Sequence, residues 1–258
     1  MGASEQVRTL CAPAKGAGFQ SVVGKTGCLD PRELGESDLY IIWGSNMAAN
    51  RPQALSLICN AANKHKRKIL IDTYANPAAN RFDQTILVKA GSDGALALAL
   101  MHVLEEEGLS DRDFLKSYTE GYEIFRDTLA AYTPELAQEE TGVPADVIRS
   151  LAREYASAKA PAIILGSGCS RYGNGGMTVR LITILSLFTG AWQYPSGGLC
   201  GCAPMDTSYV DLNLIKRPDW GGGNPEPLCV RRQSCQYRFQ PGRRDPGPDA
   251  GRPVYGCT

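Results

Sequence analysis

Short apolar runs that end in small polar residues constrain the fold of this chain more than any other feature. Residues 38–43 (DLYIIW) form such a run, rich in β-branched and aromatic side chains, and stop at Gly44. A second run, residues 68–72 (KILID), follows a segment with helical spacing that begins at Pro52. This spacing predicts a right-handed parallel crossover, the repeating unit of a doubly wound α/β sheet.

The same arrangement continues along the chain. Residues 85–88 and 162–165 are predicted strands, and a glycine-rich loop over residues 166–176 leads into an amphipathic helix that ends near Phe188. Further helices are predicted over residues 92–107, 111–118 and 144–158. The sequence therefore predicts an α/β fold of parallel sheets with flanking helices.

Composition divides the chain into four regions. Residues 1–35 carry a cysteine segment, residues 36–160 a first nucleotide-binding α/β region with a helical part, and residues 161–220 a second strand–loop–helix region. Residues 221–258 are rich in glycine, arginine and proline and lack apolar periodicity. We predict that this last region is disordered or a frameshifted segment.

Charge and hydropathy exclude several classes of partner. Lys plus Arg equals Asp plus Glu, at 27 each, so no net field attracts nucleic acid. The longest apolar stretches fall short of the roughly 18 residues that indicate a membrane span. Nine scattered cysteines without a CxxC pair, and two histidines, argue against a zinc site. Of the ligand classes considered, a small molecule is the one that remains.

Small and acidic residues follow three consecutive predicted strands. Gly44, Ser45 and Asn46 follow the first, Asp72 ends the second, and residues 91–93 follow the third. Such loops let a ligand approach the backbone, and a carboxylate can accept from ribose hydroxyls or from one edge of guanine. Each feature alone also fits a tight turn or a helix cap. Together they predict one extended nucleotide along the sheet edge.

Five motifs follow one another over residues 38–198, within a resemblance that runs from about residue 8 to residue 198. They are DLYIIWGSNMAANRP, ILIDTY, VKAGSDGALALALMHVLEEEGLSDRDFL, LGSGCSRYGNGGMTVR and an LTGAW-like stretch at residues 188–198. Their order and separations resemble those of molybdopterin oxidoreductases of the dimethyl sulfoxide reductase class, in particular periplasmic nitrate reductases and formate dehydrogenases. The resemblance implies the central domains of that fold and a molybdenum bis(molybdopterin guanine dinucleotide) cofactor.

The resemblance also implies which residues hold the cofactor. The loops after the first three strands would contact one pterin guanine dinucleotide, and the glycine-rich loop would hold the pterins near the metal. Carried over by position, the cofactor-binding residues are Gly44, Ser45, Asn46, Met47, Asp72, Thr73, Gly91, Asp93, Ser167, Gly168, Arg171 and Asn174. The alternative for Arg171 is an ordinary surface arginine.

The segment RTLCAPAKGAGF resembles the one that carries the metal-ligating cysteine in periplasmic nitrate reductases. Cys11 is therefore the predicted catalytic residue and metal ligand, since a thiolate suits a redox metal already bound by dithiolene sulfurs. The alternative is a small buried cysteine. Ala12 stands where formate dehydrogenases usually have a histidine, which argues against formate as the substrate.

The family implies two-electron oxygen-atom or hydride transfer on a small substrate, with an electron-transfer subunit or redox protein as partner. Its [4Fe–4S] cluster is expected only in a domain upstream of this sequence. We therefore expect a fragment that is inactive or very weakly active alone, cytoplasmic as it stands or periplasmic if a signal lies upstream. The rival is a non-catalytic nucleotide-binding remnant of the same fold. A nicotinamide dehydrogenase is disfavoured because no GxGxxG follows the first strand.

Overall fold

The computed structural model of the protein describes residues 11–24, 29–30, 32–63 and 65–201. Its strands are β1 (Leu39–Trp43), β2 (Arg67–Asp72), β3 (Gln84–Leu87), β4 (Pro161–Leu165) and β5 (Gly198–Cys200). Its α-helices are α1 (Ala12–Val23), α2 (Met47–Asn50), α3 (Pro52–Ile58), α4 (Asp93–Glu106), α5 (Arg112–Tyr118), α6 (Tyr122–Leu129), α7 (Pro134–Thr141), α8 (Ala145–Ser157) and α9 (Gly175–Leu185). One compact unit, Ser4–Val210, contains all of these elements.

The five strands form one parallel sheet in the order β3-β2-β1-β4-β5. The chain leaves β1 toward β2 on one side and leaves β4 toward β5 on the other. The two connections therefore diverge between β1 and β4, where Trp43 pairs with Leu165. Ligands of doubly wound sheets bind at such a switch point, outside the carboxyl ends of the strands.

Apolar side chains cover both faces of the sheet, and β1 lies at its centre. All five residues of β1 are buried, as expected for a parallel strand with helices on both sides. Ile41 and Trp43 belong to the larger core cluster, together with side chains of α4, α8 and α9. Tyr40 and Ile42 belong to a smaller cluster on the other face, where Ile58 of α3 packs.

The predicted α/β architecture is confirmed. The four predicted strands lie in the parallel sheet, and the helices predicted at residues 92–107, 111–118 and 144–158 correspond to α4, α5 and α8. Two helices end earlier than the sequence predicts. The helix α9 ends at Leu185 instead of near Phe188, and α3 ends at Ile58, although its helical spacing continues to the basic run at residues 64–68. The sequence patterns do not indicate α1, α6, α7 or β5. The segment of α1 is built mainly from small residues, and β5 has only three residues.

The two predicted strand–loop–helix regions share one sheet, since β4 of the second pairs with β1 of the first. Their status as separate domains stays a prediction. The predictions for residues 1–10 and 221–258 lie outside the described residues. In the described part of the chain, no helix is long and apolar enough to cross a bilayer.

Glycine allows α1 and α9 to pack closely. A Cβ at Gly18 would overlap the carbonyl oxygen of Gly176 and would lie 3.0 Å from the Cβ of Val179. Because α1 begins directly after Cys11, this packing determines where the cysteine lies.

We expect Gly18→Ala to lower the free energy of unfolding by about 2 kcal/mol, because a methyl group must enter a closed helix contact. Gly16→Ala is the matched control in the same helix, since nothing lies within 4 Å of a Cβ there. Alanine at residue 16 should raise the free energy of unfolding by up to about 1 kcal/mol. Urea unfolding measures the free energy of unfolding of both variants. Equal changes in the two would argue against the close packing of α1 on α9.

Candidate functional site

Four loops converge at the carboxyl edge of the sheet, one after each of β1, β2, β3 and β4. The loops after β1 and β4 touch directly at the switch point. The backbone N–H of Gly166 donates to the carbonyl of Trp43 at 2.7 Å, and that of Gly168 donates to the carbonyl of Gly44 at 3.3 Å. A Cβ at Gly166 would overlap the carbonyl oxygen of Gly44. Only glycine at residue 166 permits this approach.

Asn76 joins the loop after β2 to the loop after β1. Its Nδ2 donates to Asp72 Oδ2 at 2.8 Å and to the carbonyl of Ser45 at 3.3 Å. The other carboxylate oxygen of Asp72 accepts from the backbone N–H of Thr73 at 2.7 Å. The Asp72 carboxylate is thus held in one orientation, and Thr73 lies exposed beside it.

Asp93 joins the loop after β3 to the loops after β1 and β4. Its Oδ1 accepts from Trp43 Nε1 at 2.8 Å, and the thiol of Cys169 donates to the same oxygen at 3.8 Å. Burial raises the pKa of the Asp93 carboxyl, although the Trp43 hydrogen bond opposes that shift. The residue is 3% exposed, so its carboxylate anchors the loops from inside the protein.

We expect Asp93→Ala to lower the free energy of unfolding by about 2 kcal/mol, because Trp43 Nε1 would be left buried without an acceptor. Asp93→Asn keeps an acceptor and should cost under about 1 kcal/mol. Equal losses for the two variants at neutral pH would argue against an anchoring role.

The two variants should also differ in their pH dependence. The pKa of Asp93 is higher in the folded state than in the unfolded state, so the folded protein holds the proton more tightly. The free energy of unfolding of the wild type should therefore fall as the pH rises through the folded-state pKa, and this loss is absent at lower pH. Asp93→Asn should lack this loss. Urea unfolding between about pH 4 and about pH 7 measures the difference.

Cys11 lies against the loop after β4. Its Sγ is 3.9 Å from Ser170 Oγ. Burial alone would raise the pKa of the Cys11 thiol, but hydrogen bonds with Ser167 and Ser170 and the charge of Arg171 outweigh burial and lower that pKa. The thiolate, which is the metal-binding form of cysteine, is therefore favoured. The structure brings Cys11 next to Ser167 and Arg171, two residues of one loop that lie far from Cys11 in the sequence.

Asn174 completes the connections between the loops. Its Nδ2 donates to the carbonyl of Gly91 at 3.0 Å, so the loop after β4 reaches the loop after β3. Four predicted residues offer little side chain to a ligand, because Ser45, Met47, Asp72 and Asp93 are 1%, 0%, 8% and 3% exposed. Only the backbone of Ser45 and Met47 can face a ligand. The exposed predicted residues are Thr73, Gly168, Arg171 and Asn174.

Two features of the edge fit a pterin-bound molybdenum. The Cys11 thiol, which is a soft donor when ionised, lies next to hydroxyl and guanidinium groups. Asn46 Oδ1 is buried and accepts no hydrogen bond from any described residue, and the N–H groups of a bound nucleotide or pterin could satisfy it. Both features stand at the sheet edge where the sequence predicted the cofactor.

Three residues near this site were missed by the sequence reasoning. Asn76 and Ser170 are polar residues of the loops after β2 and β4, which the sequence analysis had assigned to the cofactor. Their position in these loops could have identified them. Lys15 lies in the segment quoted for Cys11, but its contact could not be predicted because the sequence pattern does not indicate the helix α1. Its Nζ donates to the carbonyl of Leu165 at the end of β4, at 2.8 Å.

Comparison with known proteins establishes the family. The sequence profile described as molybdopterin oxidoreductase matches residues 13–207, which is most of the chain. The chain belongs to the molybdopterin oxidoreductase family. The resemblance predicted from the five motifs is thereby confirmed.

Two relatives of this family member carry names of oxidoreductases, one of them as a probable oxidoreductase. The chain is 35% identical over 219 residues to the probable oxidoreductase YoaE of Bacillus subtilis, an alignment that covers 85% of the chain and 32% of YoaE. It is 36% identical over 215 residues to formate dehydrogenase H of Escherichia coli, covering 78% of the chain and 30% of that enzyme. The chain thus spans about a third of the length of these relatives.

A solved structure shares the fold. Acetylene hydratase from Pelobacter acetylenicus superposes with a TM-score of 0.60 and 19% identity, covering 70% of this chain and 24% of that protein. At this identity the likeness supports the architecture of the molybdopterin oxidoreductase chain and carries no statement about its chemistry.

Proposed function

We propose that this chain holds a molybdenum bis(molybdopterin guanine dinucleotide) cofactor at the carboxyl edge of its sheet. It would do so as part of an oxidoreductase that performs two-electron oxygen-atom or hydride transfer on a small substrate. One observation carries the proposal. The Cys11 thiol lies against the loop of Ser167, Ser170 and Arg171, next to the switch point where the other loops converge.

Each group at the edge has a task in this proposal. Cys11 ligates the metal, and the planar guanidinium of Arg171 binds a phosphate or a pterin edge. Thr73 would face the ribose beside the largely buried Asp72 carboxylate, and backbone N–H groups of the loops after β1 and β3 would bind phosphate. When bound, the cofactor supplies the two-electron chemistry, while the protein binds and orients it.

The proposal includes partners. Because the chain spans about a third of its relatives, we propose that turnover needs an electron-transfer subunit or redox protein, and a [4Fe–4S] cluster held elsewhere in the assembly. We expect the chain alone to bind the cofactor without sustained turnover. The [4Fe–4S] cluster and the guanine form of the pterin are carried over from the family.

Alkylation of Cys11 tests the proposed ligation. The chain is purified anaerobically from a host that makes the molybdenum cofactor and from one that cannot, then treated with iodoacetamide and mapped by peptide mass spectrometry. Cofactor should slow alkylation of Cys11 by about tenfold or more, because a metal-bound thiolate is not free to react. Cys59, a half-buried thiol near Arg81, is the internal control and should react equally in both preparations. Equal rates at Cys11 would contradict the proposal.

A further inference from the structure

We propose that Lys15 is a positioning residue of the metal centre, whose side chain fastens the start of α1, and with it Cys11, to the end of β4. The inference rests on the proposed role of Cys11 as the metal ligand. It concerns a residue that lies inside the segment RTLCAPAKGAGF and to which the sequence analysis gave no role.

Lys15 connects the first turn of α1 to the end of β4. Its backbone N–H donates to the carbonyl of Cys11 at 3.0 Å, so the two residues are neighbours on successive turns. Its Nζ donates to the carbonyl of Leu165, the last residue of β4, at 2.8 Å. The Cys11 thiol contacts Ser170 of the loop that starts at the same point. The side chain of Lys15 therefore fastens the start of α1 to the base of that loop.

The burial of Lys15 argues for a role beyond packing. The residue is 5% exposed, although burying an ammonium group is costly unless its surroundings compensate for the lost hydration. An apolar side chain could fill the same space without that cost. The ammonium group donates to the carbonyl of Leu165, an anchoring hydrogen bond that a methionine of similar length cannot make.

A disulfide can report the position of Cys11 without any metal. In a Ser170→Cys background, mild oxidation should link residues 11 and 170, because the side-chain atoms are 3.9 Å apart in the wild type. Lys15→Met should slow this cross-linking by about tenfold, since small misplacements of reacting groups have large effects on rate. Lys15→Arg keeps the charge and the donor and should restore most of the rate. Peptide mass spectrometry identifies the linked pair.

Lys68→Met is the matched control. Lys68 is also a buried lysine, 4% exposed, and its Nζ donates to the carbonyls of Asn63 and Lys66. These contacts lie at the start of β2, away from the carboxyl edge of the sheet. Lys68→Met should leave the cross-linking rate of the folded protein unchanged. The proposal is overturned if Lys15→Met cross-links at the control rate, or if both methionine variants are slowed equally.

A second measurement separates this inference from the proposed function. In protein that carries molybdenum, the Mo(V) electron paramagnetic resonance signal should change in Lys15→Met, return in Lys15→Arg and stay unchanged in Lys68→Met. An unchanged signal in Lys15→Met overturns the inference while leaving the proposed function intact. Absence of molybdenum from every preparation contradicts the proposed function, and the cross-linking rates then decide on Lys15 alone.

Discussion

Gly166→Ala should lower the free energy of unfolding by about 3 kcal/mol or more, a large effect for a single methyl group. The Cβ of an alanine there would overlap the carbonyl oxygen of Gly44 and would lie 2.7 Å from the Cα of Ser45. These are backbone atoms, which cannot rotate away as the end of a side chain can. The loops after β1 and β4 must therefore move apart at the switch point.

Gly173→Ala is the control for this prediction. Gly173 belongs to the same glycine-rich loop, and nothing lies within 4 Å of a Cβ at that position. Its replacement should change stability by no more than about 0.5 kcal/mol. Urea unfolding of the two variants gives the comparison. If Gly166→Ala and Gly173→Ala had the same free energy of unfolding, the backbones of the loops after β1 and β4 would not be in contact at residue 166.

Cys11→Ser should lower the molybdenum retained through gel filtration by about tenfold to a hundredfold. A serine hydroxyl stays protonated at neutral pH and is a harder ligand than the thiolate it replaces. Its neighbours Ser167, Ser170 and Arg171 favour the ionised thiol in the wild type, and that advantage is lost. X-ray absorption at the molybdenum edge should show one sulfur neighbour fewer in whatever metal remains.

Cys59→Ser is the matched control for Cys11→Ser. Cys59 is a free, half-buried cysteine that contacts the carbonyl of Arg81, away from the loop after β4. Its replacement should leave both the molybdenum content and the sulfur coordination unchanged. If Cys11→Ser retained as much molybdenum as Cys59→Ser, with the same sulfur coordination, Cys11 would not be a ligand.

The strands and their loops could be predicted because local patterns determine them. The apolar run of β1 and the glycine-rich loop after β4 are visible in a few consecutive residues, and both lie where expected. Consecutive parallel strands bring their carboxyl ends to one edge, so the predicted loops gather there without further information.

Side-chain partners could not be predicted in the same way, since they depend on contacts between distant residues. The Asp93 carboxylate accepts from Trp43, 50 residues away in sequence, and the Cys11 thiol contacts Ser170, 159 residues away. No periodicity indicates that Asp93 faces inward. The short side chains of α1 likewise hide a helix that close packing against α9 stabilises.

The molybdenum and guanine content of the purified chain is the most direct test of cofactor binding at the sheet edge. The chain is prepared anaerobically from a host that makes the cofactor, its metal is measured by mass spectrometry, and its nucleotides are released by acid and quantified. We expect about one molybdenum and about two guanine nucleotides per chain. A folded chain that carries neither would contradict the proposed cofactor and favour a non-catalytic remnant of the same fold.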